Sequence, residues 1–158
     1  MINIASKINY EKILGAALLM AAFSVFADQE SIKRGAYLTY AAGCITCHTE
    51  QSDDAMSLAG GRAMKTPFGM FYTPNITPDN ETGIGAWSDD DFVRALQLGV
   101  SPTGTHYFPS FPYASYTGIA RQDLLAIKAY LFSLAPVNKE VGKHNLDWFI
   151  PSGLAAWA

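Results

Sequence analysis

Apolar and polar positions are arranged in several distinct ways along this 158-residue chain. From Ile13 to Phe26 the side chains are almost all apolar. From Glu30 to Thr39 the spacing is helical: Ser31 is placed to cap, and Ile32, Ala36, Tyr37 and Tyr40 share one side. From Thr49 to Ile84 periodicity gives way to turn formers, with Gly60-Gly61, Thr66-Pro67, Thr73-Pro74-Asn75 and Thr77-Pro78-Asp79. A short hairpin through Phe68 to Tyr72 fits among these turns. Ser88 then caps a helix whose first turn is Asp89-Asp90-Asp91, with Phe92, Val93 and Leu96 as its apolar side and Gly99 as its stop. Ser101 to Thr117 is irregular again, with Pro102, Pro109 and Pro112 among aromatic residues. A last helix from Ile119 to Leu134 runs through Leu124, Leu125, Ile127 and Leu131, and Pro136 closes it. Three main helices, long loops and little strand predict an all-α domain. A loop as long as Thr49–Ile84 inside a compact domain is usually functional.

The first apolar run has the flanks of a leader. Met1 to Lys12 is polar and carries Lys7 and Lys12, and Val25-Phe26-Ala27 offers a small residue before the cut. The run is shorter than the ~20 residues a spanning helix needs, which favours a cleaved secretory signal peptide over a retained anchor. The expected organisation is therefore a leader at 1–27, one domain at 28–137, and a tail at 138–158. Trp148, Phe149, Ile150, Leu154 and Trp157 of that tail would pack on the domain or on a partner. Export places the mature chain in the periplasm, either free or at a membrane through a complex. Without Lys7, Lys12 and Glu11, the 11 Lys+Arg and 14 Asp+Glu become nine and thirteen, a formal charge of −4. A mildly acidic surface excludes nucleic acid as a partner class.

The chemistry is concentrated in Cys44-Ile45-Thr46-Cys47-His48, which holds the only two cysteines of the chain. Two thiols at this spacing can each bond one vinyl group of a single haem, and the following imidazole can reach the iron from the same side. The same residues are also compatible with a thioredoxin-type redox pair, a structural disulfide, or half of a zinc site. The first needs a βαβ pattern that the surrounding sequence lacks. Coincidence with a leader favours one covalent haem c held by Cys44, Cys47 and His48. Gly43 before the motif gives the backbone freedom where a porphyrin comes close. Gly83-Ile84-Gly85 is no nucleotide fingerprint, since it lacks a preceding strand and a third glycine.

Beyond this motif, the chain resembles class I c-type cytochromes, specifically the single-haem domains in cytochrome c subunits of membrane-bound alcohol and gluconate dehydrogenases. The likeness spans about Ser31 to Val137. It rests on Gly60-Gly61-Arg62, Thr66-Pro67-Phe68-Gly69, Thr73-Pro74-Asn75-Ile76-Thr77-Pro78-Asp79, Thr82-Gly83-Ile84-Gly85-Ala86-Trp87-Ser88, Phe108-Pro109-Ser110-Phe111-Pro112-Tyr113 and Ala129-Tyr130-Leu131. The resemblance implies a class I cytochrome c fold, with His48 as proximal iron ligand. It also implies a methionine as sixth ligand where Phe111 stands, or shortly before the last helix, where this chain has Ile119. Neither side chain binds iron, and no methionine follows Met70. The remaining candidates for the sixth position are Met64, Met70 and His106, with Met56 and His144 further off, or an open position. Arg62, Tyr72, Asn75 and Trp87 are candidates to hydrogen-bond the haem propionates.

The function this implies is single-electron transfer from a dehydrogenase or other donor to a respiratory oxidase, another cytochrome or a quinone-linked acceptor. No substrate-converting residues stand out, so the chain reads as an electron carrier or electron-transfer subunit rather than an enzyme. The alternative is a five-coordinate haem protein that binds a small gas as sensor or scavenger.

Overall fold

The computed structural model describes residues 28–146. Helix α1 covers residues 28–41, and after a two-residue turn helix α2 covers Cys44–His48. A hairpin follows, β1 at Ala63–Thr66 and β2 at Gly69–Tyr72, then α3 at Asp89–Leu98, a short 3-10 turn at Tyr113–Ser115 and α4 at Arg121–Phe132. The all-α expectation is corrected in one respect: β3 at Asn145–Leu146 pairs antiparallel with β2, making a three-stranded sheet in the order β1-β2-β3. The sequence signal for β3 is only two residues long, too short for any periodicity to show.

Helix α1 crosses α4 at Gly35. A Cβ there would run into the Ala126 carbonyl oxygen and come within 2.9 Å of the Tyr130 Cβ, so only glycine lets the two backbones approach this closely. Arg34 on α1 pairs with Asp123 on α4 at 2.5 Å beside this crossing. The core is formed by Leu58, Ile84, Phe92, Val93, Leu124, Ile127 and Leu131, so it draws on both helices α3 and α4 and on the long loop. Burying these side chains is the main favourable term, about 1.5–3 kcal/mol for each large aliphatic or Phe removed from water.

Helix α3 has the ends its sequence predicts. Ser88 Oγ accepts from the Asp91 amide at 3.1 Å, and Asp91 accepts from the Ser88 amide in return at 3.1 Å. Gly99 ends it at φ 66°, where other residues are strained. Helix α4 is joined to the start of α3 by Lys128, whose ammonium donates to the Trp87 carbonyl at 2.9 Å and to Asp89 at 2.7 Å.

The described part of the tail lies along the long loop. The Val137 carbonyl accepts from Asn75 Nδ2 at 2.7 Å, the Val137 amide donates to Thr77 Oγ1 at 3.2 Å, and the Lys139 amide donates to Thr82 Oγ1 at 3.0 Å. Trp148, Phe149, Ile150, Leu154 and Trp157, like the leader 1–27, lie outside the described residues. Among the described residues no helix is long and apolar enough to cross a membrane.

Gly35→Ala should lower unfolding free energy by about 1–3 kcal/mol, the usual range for overpacking. Urea denaturation measures this; a variant as stable as the parent would show that the two helices do not meet at this glycine.

Candidate functional site

The five-residue turn α2 begins at Gly43, whose φ of 74° lies in the left-handed region. A Cβ at Gly43 would meet nothing within 4 Å, so the demand there is for backbone conformation, not for space. Helical spacing puts Cys44 and Cys47, three residues apart, on one face of the turn. Both are free thiols, Cys44 half-buried and Cys47 exposed. Burial, more than the neighbouring Cys47, pushes the Cys44 thiol up to about 11, which keeps it protonated at neutral pH.

His48 ends the turn, and its orientation is fixed by one contact. Its Nδ1 lies 2.8 Å from the Pro74 carbonyl oxygen. A carbonyl can only accept, so Nδ1 carries the proton and Nε2 keeps its lone pair. Burial lowers the proton affinity of this imidazole, and the bond to Pro74 only partly offsets it. A neutral imidazole with one committed nitrogen and one free is the form that ligates a metal.

Pro74 is held in place by a backbone strap. The Gly60 amide donates to the His48 carbonyl at 2.7 Å, the Gly61 amide to Thr73 O at 2.9 Å, and the Ile76 amide to Leu58 O at 3.0 Å. Gly60, at φ 70°, sits against the strap so closely that a Cβ would lie 2.5 Å from the Pro74 carbonyl carbon. Leu58 adopts φ 63° although it is not glycine, a cost on the order of 1 kcal/mol. Its side chain is 1% exposed and its amide donates to Thr49 Oγ1 at 3.1 Å, so core packing and two hydrogen bonds hold it there. The middle of α2 is fixed as well, because Arg62 Nη1 donates to the Thr46 carbonyl.

These residues fit the group their pattern suggests. Two unpaired sulfurs share one face, Cys44 half-buried against the core and Cys47 exposed, and an adjoining imidazole has its Nε2 free. Cys44 and Ile45 pack on the core with Ile119, while the Tyr116 hydroxyl bonds the Ala42 carbonyl just before the turn. Among the described residues no cluster of three or more His, Cys, Asp or Glu could hold a metal ion, so the zinc alternative gains no partners.

The other candidates are distributed unequally. Met64 stands directly opposite Phe71 across the hairpin and Lys65 opposite Met70, so the two methionines project from opposite faces. No more than one of them can look toward a given side of a haem. Phe71 packs edge-on against Phe108 at 5.2 Å, so the Met64 face is the one turned toward the 107–116 segment. His106 is exposed, and its backbone bridges to Val100 at the end of α3. His144 packs on Phe71 and Phe108, with ring centroids 5.3 and 5.8 Å apart, and its Nδ1 accepts the Tyr72 amide at 3.2 Å. Its proton is therefore on Nε2, which leaves neither ring nitrogen with a free lone pair. Met56 is exposed, 49% of its surface being open to solvent. Of the propionate candidates, Asn75 is spent internally: its Nδ2 donates to Thr82 and Val137, and its Oδ1 accepts from the Thr77 amide and hydroxyl. Arg62 is engaged with Thr46, Trp87 packs on the core, and the Tyr72 ring lies against Gly142. The Pro74 carbonyl, Gly60 and Tyr116 went unnoticed as site residues in the sequence. A Thr-Pro-Asn triplet and a paired glycine read simply as turn formers, and Tyr116 as one aromatic among many.

No family model matches the chain. Curated relatives do. The chain is 48% identical over 115 residues to a nicotinate dehydrogenase subunit of Pseudomonas putida, covering 73% of this chain and 10% of that protein. It is 40% identical over 144 residues to a diheme cytochrome c-type protein of Cereibacter sphaeroides, covering 85% of this chain and 49% of that one. It is 37% identical over 143 residues to the gluconate 2-dehydrogenase cytochrome c subunit of Pantoea cypripedii, covering 87% and 32%. The chain resembles dehydrogenase cytochrome c subunits. It spans half or less of each of these relatives' own length. The likeness to cytochrome c subunits implies haem c as the cofactor, which agrees with the fit of the Cys44–His48 turn.

Burial alone lowers the proton affinity of His144, so the folded chain takes up this proton less readily than the unfolded one. The stability it contributes is complete above its ordinary pKa of about 6.5 and is lost as pH falls below that. His144→Asn keeps an acceptor for the Tyr72 amide but does not titrate. The stability of the parent relative to this variant should therefore decline between about pH 7.5 and pH 5, followed by urea unfolding. A difference independent of pH would contradict the assignment.

Proposed function

We propose that this chain is an exported electron-transfer protein of a dehydrogenase system, holding a single haem c covalently through Cys44 and Cys47 with His48 on the iron. The observation that carries the reading is the His48 contact: its Nδ1 is committed to Pro74 at 2.8 Å, so its Nε2 is presented beside two free sulfurs. The relatives' names supply the context, since a gluconate dehydrogenase cytochrome c subunit works with a dehydrogenase.

When bound, a haem supplies a one-electron iron couple. The chain's own residues set the conditions for it. The Pro74 carbonyl makes the His48 imidazole a stronger electron donor by accepting its Nδ1 proton in a hydrogen bond, which favours the oxidised state. Leu58 and the core behind it keep water from the inner side. Exposed Cys47 marks the rim where a partner approaches. Contacts for such exchange are small and short-lived, which permits turnover. The donor is a dehydrogenase catalytic subunit and the acceptor a respiratory oxidase, a second cytochrome or a quinone-linked protein. The leader-like residues 1–27 support location in the periplasm, and membrane association would come only through a dehydrogenase complex.

Phe111, with no lone pair, favours a second reading in which the iron keeps an open position for a small gas. The two readings part on one measurement. The exported protein, mixed with a catalytic dehydrogenase subunit and its substrate, should be reduced within turnover time and reoxidised by an acceptor. Protein that stays oxidised with every dehydrogenase tried, yet binds carbon monoxide rapidly when reduced, would replace the first reading by the second.

A further inference from the structure

The segment from Tyr107 to Tyr116 builds an aromatic wall next to the attachment turn. The Phe111 ring lies 5.6 Å from Tyr107, 6.4 Å from Tyr113 and 6.0 Å from Tyr116, centroid to centroid. Consecutive tight turns fix its backbone: the Phe111 amide donates to Phe108 O, the Tyr113 amide to Phe111 O and the Tyr116 amide to Tyr113 O. On one side Tyr113 is pressed against the end of α3, where a Cβ on Gly99 would come within 2.5 Å of its ring. On the other side the wall meets the end of α1. There the Ala42 carbonyl lies past the last helical turn and needs a donor from elsewhere. The Tyr116 hydroxyl supplies it at 3.1 Å. Burial, ahead of any effect of Cys44 and Cys47, raises the pKa of this hydroxyl, so it stays protonated and can donate. One hydrogen bond thus joins the wall to the turn that carries the site.

We propose that Tyr116 is a positioning residue whose bond to Ala42 latches this wall over the attachment turn and keeps small external ligands from the metal. The inference rests on the haem reading of Cys44–His48. Phe111 closes the site by filling space, because it has no atom that bonds a metal. Tyr107 and Tyr113 support its ring, and Tyr116 fixes how far the whole wall stands from α2.

The test uses the exported, haem-loaded chain and two variants, Tyr116→Phe and Phe111→Ala. Intact mass gives the covalent adduct of each, thermal unfolding gives its stability, and flash photolysis gives the rate at which carbon monoxide binds the reduced protein. Tyr116→Phe keeps the ring and loses the donor, so the open population and the association rate should rise about fivefold with the adduct intact. Phe111→Ala leaves the latch and removes the stopper, and its rate should rise at least as much. A Tyr116→Phe protein that is less stable but binds carbon monoxide at the parent rate would make Tyr116 merely structural and overturn the proposal. An unchanged rate in Phe111→Ala overturns the proposal too, because the wall would then keep nothing from the metal; a faster rate supports the wall as the barrier that the latch holds. A parent chain without any adduct is a separate failure, read from its own mass, and it sinks the haem reading on which the latch depends.

Discussion

The hydrogen bond from His48 Nδ1 to the Pro74 carbonyl governs how the loop and the Cys44–His48 turn are built around each other. An imidazole next to two cysteines can turn about two side-chain torsions and carry its proton on either nitrogen. A single fixed carbonyl removes both freedoms, since only the Nδ1–H tautomer in one orientation can reach it. Almost everything between Thr49 and Thr77 is then intelligible as a device for keeping that carbonyl still. Gly60 makes room for it, Leu58 accepts a left-handed backbone to reach the core, and three amide-to-carbonyl bonds tie the outgoing and returning strands of the loop together.

The loop would be insecure without its outer supports. Asn75 and Thr77, on either side of Ile76, are almost wholly buried and join the Val137 backbone, so the chain beyond α4 acts as a strap over the loop. Lys139 continues the strap to Glu50 at 2.6 Å, close to the end of α2. Further along, His144 and β3 fasten the chain to the outer edge of the hairpin. The helices supply a rigid frame for all this. The Gly35 crossing fixes α1 relative to α4, and the end of α1 leads straight into the Cys44–His48 turn. An electron-transfer site profits from such stiffness, because small rearrangement on oxidation means a small barrier to exchange.

The ends of α3 were legible in the sequence because their signals are local, whereas α1 was read only in outline: Ser31 lies inside it rather than capping it, and Tyr37 and Tyr40 face solvent, 72% and 76% exposed. Ser88, the three aspartates and Gly99 mark both ends of α3 without help from any other part of the chain. The Cys44–His48 motif stood out as a candidate site because its chemistry is contained in five consecutive residues. What escaped was set by contacts between distant segments. Gly35 looks like a weak point in a helix until α4 is placed across it. Pro74 is a turn residue until His48 is found 26 positions away in chain terms. Met64 and Met70 look equivalent in a loop, whereas strand pairing puts them on opposite faces. The short β3 exists only because β2 offers it an edge.

If the turn from Cys44 to His48 holds a haem through both sulfurs, with an imidazole pre-set by Pro74, the polypeptide must carry that haem in its mass. The decisive quantity is the intact mass of the exported chain under denaturing conditions, for the parent and for Cys44→Ala and Cys47→Ala. The expected result is one haem adduct that survives denaturation in the parent, persists through a single bond in each variant, and disappears when both cysteines are replaced. A parent chain with the mass of bare polypeptide, or an adduct that survives loss of both cysteines, would contradict it.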